Sequence, residues 1–373
     1  MKNYIPIAKP VNELNEIKNF SRLFSDEIQK GYYVGGPNVV NFEDSLVKFL
    51  KVKYAVSLNS GTDALILSLK ALGVKSGDEV ILPSFTYYAT AEAVMQCNAK
   101  PVFADVEKDS FCISLETLEP LVNRKTKCII PVHLYGYDAD ISNINQFAKE
   151  KNISLIEDAA QAFGSKSVNG KFLGTYGDIN AFSNFPSKTL GGIGDGGFVS
   201  TNNYQLYKKI SLLKNHGQSK IYEHEIVGYN SRMDSLNAFV LNEKLKKFSE
   251  IKKTRNKFVD FYIQTLKEYD FINFPKIDKE STLLNYFTII LPSKIRFKLQ
   301  EDLVKEGIQT NIYYRKPLHK QKALKDYGYK SLDLQRTENL GKRVLSLPLY
   351  SHVTKNELDY ISSKLKKVLK KYG

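Results

Sequence analysis

Phe182-Ser-Asn-Phe-Pro-Ser-Lys188-Thr-Leu-Gly-Gly-Ile-Gly-Asp-Gly-Gly197 is the most informative stretch of this chain. Gly192, Gly194 and Gly197 satisfy G-x-G-x-x-G, yet a dinucleotide-binding fingerprint must follow a strand and open a helix. Here a lysine loop precedes the glycines and a strand-like Phe198-Val-Ser200 follows them, so that reading fails. What remains is one lysine between Ser183/Ser187 and five glycines, a setting in which backbone can wrap closely round a bound group. A lysine amine whose charge is suppressed is the group for imine chemistry. The competing reading of Lys188 is a surface lysine in a flexible loop.

Upstream of this loop, short apolar runs alternate with helical patterns. Tyr54–Leu58, Glu79–Leu82, Pro101–Asp105, Cys128–Val132 and Ile153–Glu157 read as strands, with helices over about 62–72 and 89–97. Strand and helix repeating in this way predict an α/β fold, a mostly parallel sheet with helices on both faces. Ligands of such sheets bind where strands end. Beyond residue 232 the texture changes. Met233–Tyr269 predicts one long helix, Leu283–Leu291 a strand, Phe297–Glu306 a helix and Ile308–Tyr314 a further strand. A large domain over 1–250 and a smaller C-terminal α+β domain over 251–373 are expected, with the boundary near 245–270.

Two strand ends add chemistry to the lysine loop. Asn59-Ser60-Gly61-Thr62-Asp63 joins a strand to a helix, and a helix N-terminus ringed by hydroxyls is a ready phosphate site. An ordinary N-cap is the equal alternative. Glu157-Asp158 closes a buried strand, and a buried carboxylate needs a cationic or hydrogen-bonding partner; Asp158 as a helix cap is the other possibility. No P-loop competes, because Gly164 to Gly170-Lys171 has the wrong spacing and Phe172 in place of Ser or Thr. The five histidines show no metal-ligand spacing. A phosphate cup, an acidic strand end and a glycine-flanked lysine together match what pyridoxal phosphate requires.

The balance of 54 Lys+Arg against 40 Asp+Glu gives a net charge of +14, which admits nucleic acid or anionic small molecules as partners. The lysines of the C-terminal stretch fall opposite Leu358, Ile361, Leu365, Val368 and Tyr372 at helical spacing, so they read as a solvated helix face. No nucleic-acid module accompanies them, and a nucleic-acid-binding reading leaves Lys188 unexplained. Three cysteines form no framework, no signal peptide opens the chain, and no transmembrane run is present. A soluble, cytoplasmic protein is expected.

The ordered motifs Gly-Thr-Asp-Ala-Leu, Pro-Ser-Phe-Thr-Tyr, Pro-Val-His-Leu-Tyr-Gly, Glu-Asp-Ala-Ala-Gln-Ala, Pro-Ser-Lys-Thr-Leu-Gly, Gly-Asp-Gly-Gly and Gly-Tyr-Asn-Ser-Arg-Met-Asp resemble the DegT/DnrJ/EryC1/StrS family, from about residue 31 to at least 319. These are fold-type I, pyridoxal-phosphate-dependent sugar aminotransferases. The resemblance implies that Lys188 holds the cofactor's aldehyde, Asp158 pairs with its ring nitrogen and Gln161 bonds its phenolic oxygen. It puts Ser60, Gly61, Thr62 and Ser183 at the phosphate. It places Tyr87 on the ring face, with Tyr88 as rival. It further implies a homodimer with shared active sites, in which Asn230 reaches the partner's phosphate and Arg232 and His319 contact the anionic substrate. Phe163 stands where some relatives have His, so no acid–base role is placed there. Sugar dehydratases of the family replace the lysine with histidine, so the intact Lys188 favours transamination. The expected reaction moves an amino group from glutamate to a nucleotide-linked keto sugar, dTDP- or UDP-linked. The wording around Lys188 is more like members aminating 3-keto hexoses, in bacterial surface-glycan pathways; 4-keto amination or dehydration is the alternative.

Overall fold

The computed structural model describes residues 4–372 apart from Gly328, Lys330 and Ser331. Seven strands form the main sheet: β1 (Tyr54–Leu58), β2 (Glu79–Pro83), β3 (Lys100–Ala104), β4 (Thr126–Ile129), β5 (Ser154–Asp158), β6 (Ile179–Ser183) and β7 (Gly197–Thr201). Their spatial order is β1-β7-β6-β5-β4-β2-β3, and only β7 runs against its neighbours. Successive side chains alternate between two cores, as the period of a strand demands. Val80, Leu82, Ile156, Ala181 and Val199 pack with the helices Gly61–Ala71 and Tyr88–Gln96. Ile81, Leu155, Phe182 and Phe198 face the opposite core, with Phe42, Leu46 and Ala238. Both faces are covered, which is why the strands are near-continuous apolar runs. The expected α/β architecture is the observed one.

A short hairpin, β8 (Gln218–Lys220) and β9 (Glu223–His224), leads towards the second part of the chain. There β10 (Phe287–Ile290) pairs antiparallel with β11 (Val344–Leu347), flanked by the helices Phe248–Leu266, Ser293–Lys305 and Lys355–Leu369. The N-terminal stretch packs against this part: Ile5 bridges to Ile308, and Leu349 N donates to Ile7 O at 3.1 Å. On the last helix Ile361, Leu365 and Val368 are buried, while Lys364 and Lys367 pair with Glu306 and Lys371 with Asp302. Those lysines are spent on the neighbouring helix.

Two expectations change. The helix predicted over Met233–Tyr269 is two helices, Ser235–Lys246 and Phe248–Leu266, joined at Lys247. Sequence offers no Gly or Pro there; the bend seats Phe248 against Phe163 and Phe49, ring centroids 5.0 and 5.2 Å away. The strand expected over Ile308–Tyr314 is only two isolated bridges, at Ile308 and Asn311, after which the chain turns. That turn carries Tyr313 and Tyr314 to the mouth of the sheet. No helix among the described residues is long and apolar enough to cross a membrane. The three cysteines are free and buried.

Candidate active site

A cavity of about 360 Å³ lies at the C-terminal ends of β1, β2, β5 and β6. At one end stands the start of the Gly61–Ala71 helix. Ser60 is its N-cap: the hydroxyl accepts from Asp63 N at 3.1 Å, and its carbonyl accepts from Ala64 N. The amides of Gly61 and Thr62, ahead of the first intrahelical bond, have no acceptor among the described residues. Thr62 and Ser183 add hydroxyls to the same wall. The wall closes only because position 61 is glycine: a Cβ there would meet Ser183 Cβ at 2.8 Å. Hydroxyls, free amides and a helix N-terminus make this end an anion cup.

The strand end of β5 separates two carboxylates by facing. Glu157 points away from the cavity and is saturated, by His133 Nε2 at 2.9 Å and the amides of Gly174, Tyr176 and Gly177. It is a fully buried structural acid. Asp158 points into the cavity. Thr90 Oγ1 donates to its Oδ2 at 2.9 Å and Ala160 N to its Oδ1 at 3.2 Å. Burial pushes its carboxyl above the usual carboxylate range, against the pull of Thr90, Ala160 and the charge of Lys188. A carboxylate so placed gains most from a ring cation facing it. Asp158 caps no helix, since a turn rather than a helix follows.

Lys188 lines the same cavity. Its loop is pinned on both sides: Asn184 Nδ2 donates to Leu190 O at 2.9 Å, and Ser187 Oγ hydrogen-bonds Tyr286 OH at 3.1 Å. Gln161 accepts from Tyr135 N at 2.9 Å and donates to Tyr314 OH at 3.1 Å, which leaves its second N–H for the cavity. Tyr87 lines the cavity, 59 % exposed, with its ring 5.9 Å from that of Tyr314. Tyr88 opens the next helix and is not part of the lining.

Asn230 and Arg232 lie apart from this group. They line an adjoining open cavity of about 630 Å³ with Val34, Asn59 and Asp234, joined to the first through Ser60 and Asp195. Arg232 Nε donates to Asn230 Oδ1 at 3.0 Å. His319 is separated from both cavities. Its ring is buried, with Nδ1 at 2.6 Å from Ser84 Oγ and Nε2 at 3.1 Å from Glu338 Oε1, and burial lowers its basicity. In this chain it fastens the 318–320 turn to the end of β2 and lines neither cavity. Sequence reading missed Thr90, Tyr286, Tyr313 and Tyr314, all of which line the cavity. A hydroxyl residue three positions after the Tyr87 turn was the only available signal for Thr90.

The lining fits a small molecule with an anion at one end, a protonated ring nitrogen at the other and a carbonyl between. The cup, Asp158 and Lys188 would suit those three groups of pyridoxal phosphate in turn. No cluster of metal-ligating side chains occurs among the described residues. Fold and lining together fit an enzyme of the lysine-dependent, pyridoxal phosphate class.

Comparison with known proteins narrows this. Residues 15–366 match the DegT/DnrJ/EryC1/StrS aminotransferase family, and the chain belongs to it. It is 38 % identical to a UDP-N-acetyl-3-dehydro-alpha-D-glucosamine 3-aminotransferase from Acidithiobacillus ferrooxidans, over 85 % of each chain. It is 37 % identical to the UDP-2-acetamido-2-deoxy-3-oxo-D-glucuronate aminotransferase of Pseudomonas aeruginosa, over 95 % of this chain and 99 % of that one. Among solved structures, Bacillus subtilis ntda with bound cofactor PMP superposes with a TM-score of 0.89 at 32 % identity, covering 99 % of this chain and 87 % of that one.

Proposed function

We propose that this chain transfers the amino group of glutamate to the 3-keto carbon of a UDP-linked hexose, with pyridoxal phosphate as cofactor. It acts as a cytoplasmic homodimer in the building of a bacterial surface glycan. The observation that carries the reading is the convergence of Lys188, Asp158 and the Ser60–Thr62 cup on one cavity at the strand ends.

When bound, the cofactor supplies an electron sink that makes the hydrogen on the carbon bearing the amine acidic. The chain supplies the rest. Ser60, Thr62 and Ser183, with the amides of Gly61 and Thr62, anchor the phosphate. Asp158, ionised once a cation faces it, keeps the ring nitrogen protonated. Gln161 and the ring of Tyr87 set the ring's tilt and exclude water from one face. Lys188 Nζ holds the cofactor at rest. Once free, that amine would take the proton from the donor's α carbon and pass it to the cofactor's reactive carbon, and in the second half would carry a proton from there to carbon 3 of the sugar. One amine serves both transfers because it stays beside both carbons.

The sugar is read from two sides. Both UDP-sugar relatives act on 3-oxo substrates. The intact Lys188 speaks for amination over dehydration. A second copy is supported by the adjoining cavity of Asn230 and Arg232, beside which Tyr32, Tyr33 and Val34 leave an exposed apolar strip.

The test supplies purified enzyme with glutamate and a UDP-linked 3-keto sugar, and in parallel a 4-keto sugar. Mass spectrometry is expected to find the 3-amino sugar, with 2-oxoglutarate in equal amount. Amination of the 4-keto sugar alone, or a deoxygenated product without loss of glutamate, would overturn the assignment.

A further inference from the structure

The loop that carries Lys188 is fastened from outside the cavity by one face of the Ser235–Lys246 helix. Asn237 Oδ1 accepts from Ile193 N at 3.0 Å, and its Nδ2 donates to Asp195 O at 2.8 Å. Seven residues on, two turns along the same helix face, Lys244 Nζ donates to Gly191 O at 2.7 Å, three residues past Lys188. Position 192 must be glycine for this approach, since a Cβ there would overlap the Asn237 amide.

Lys244 is 1 % exposed, and its counter-charge comes from the far end of the chain. Glu13 Oε2, in the Val11–Asn15 helix, stands 3.0 Å from Lys244 Nζ. The other oxygen of Glu13 accepts from Ser351 Oγ at 2.6 Å, and Asn12 Nδ2 donates to Ser351 O at 3.2 Å. One buried ion pair therefore joins the N-terminal helix, the segment after β11 and the Lys188 loop. A buried pair is a weak source of stability, because an apolar pair of like volume packs as well or better. What an apolar pair lacks is a donor for the Gly191 carbonyl.

We infer that Lys244, paired with Glu13 and assisted by Asn237, is a positioning residue for Lys188. The inference rests on Lys188 being the cofactor-bearing residue. By fixing Gly191, Ile193 and Asp195 to a rigid helix, the clamp sets the reach of the Lys188 amine towards the cofactor's aldehyde. Sub-ångström placement of such a group is what a supporting layer of side chains provides.

The test compares wild type with the double variant K244M/E13Q and the single variant N237D. The double variant removes both buried charges, keeps an acceptor for Ser351 and loses the bond to Gly191. N237D keeps the acceptor for Ile193 and loses the donor to Asp195. Two quantities are read: the dissociation constant of pyridoxal phosphate from the apoenzyme, and the pH midpoint of the visible band near 420 nm. Thermal unfolding of the apoenzyme is expected to stay close to wild type in the double variant. Cofactor binding weakens by about tenfold, the weight of one charged hydrogen bond, and the band's pH midpoint moves. N237D shifts both in the same direction by less. Wild-type values of both quantities in the folded variants would overturn the inference and leave Lys244 a purely structural residue. If the double variant does not fold, N237D decides alone. A Lys188→Ala enzyme that still aminates the sugar at a near wild-type rate would instead defeat the underlying assignment of Lys188, whatever the clamp variants show.

Discussion

Replacing Thr90 with Val removes one hydroxyl and little volume from a residue that is 1 % exposed. That hydroxyl donates to Asp158 Oδ2 at 2.9 Å and is the largest influence holding the buried carboxyl down. A hydrogen bond to a charged group contributes about 1.5–3 kcal/mol net. Its loss raises the Asp158 carboxyl further. If Asp158 is the partner of the cofactor's ring nitrogen, the carboxylate is then costlier to ionise there, and pyridoxal phosphate is expected to bind about ten- to hundredfold more weakly. Two assays read the change. Titrating apoenzyme with cofactor gives the affinity, and the acidic limb of the glutamate half-reaction, followed against pH, gives the carboxyl. The limb is expected to move to higher pH. A Thr90→Val enzyme with wild-type affinity and an unmoved acidic limb would refute the claim that Thr90 sustains the Asp158 charge.

Asp158→Asn should separate stability from function. Folding raises this carboxyl above its ordinary value of 3.8, so the ionised group opposes folding once pH climbs from that value through the folded one. The apoenzyme variant is therefore expected to melt higher than wild type by about 1–3 °C at pH 8, and the gain should vanish near pH 4, by calorimetry. It is expected to be inactive at both; a lower melting point at pH 8 would contradict the sign. Gly61→Ala places a Cβ 2.8 Å from Ser183 Cβ, at the floor of the phosphate cup. Overpacking of about 1–3 kcal/mol is expected, seen as a lower melting temperature together with weaker cofactor binding; a change in neither would show that the cup wall yields freely.

Much of the site was legible because its members sit where strand patterns stop. Ser60, Asp158 and Ser183 each close an apolar run, and Lys188 stands in a glycine-rich turn that no packing pattern explains. Which of Glu157 and Asp158 faces the cavity was open in sequence terms; the pleat decides, giving Glu157 to four donors away from the cavity and Asp158 to the cavity. The aromatic wall was not legible. Tyr313 and Tyr314 lie in a run whose β-branched and aromatic residues mimic a strand, and only the bridges at Ile308 and Asn311 and the turn after them reveal otherwise. Thr90 looks like any buried residue of an amphipathic helix. His319, in Pro317-Leu318-His319, carries a side chain suited to a substrate, yet its ring is spent between Ser84 and Glu338. The break at Lys247 was hidden for a related reason: a distant aromatic contact, with no local breaker, ends the helix.

The most direct test of the account is the absorbance spectrum of the purified holoenzyme, before and after glutamate is added. A band near 420 nm should fall while one near 330 nm rises, as the lysine-held cofactor passes to its amine form, and Lys188→Ala should abolish the change. A protein that stays colourless with added pyridoxal phosphate, or a band indifferent to glutamate, would contradict it.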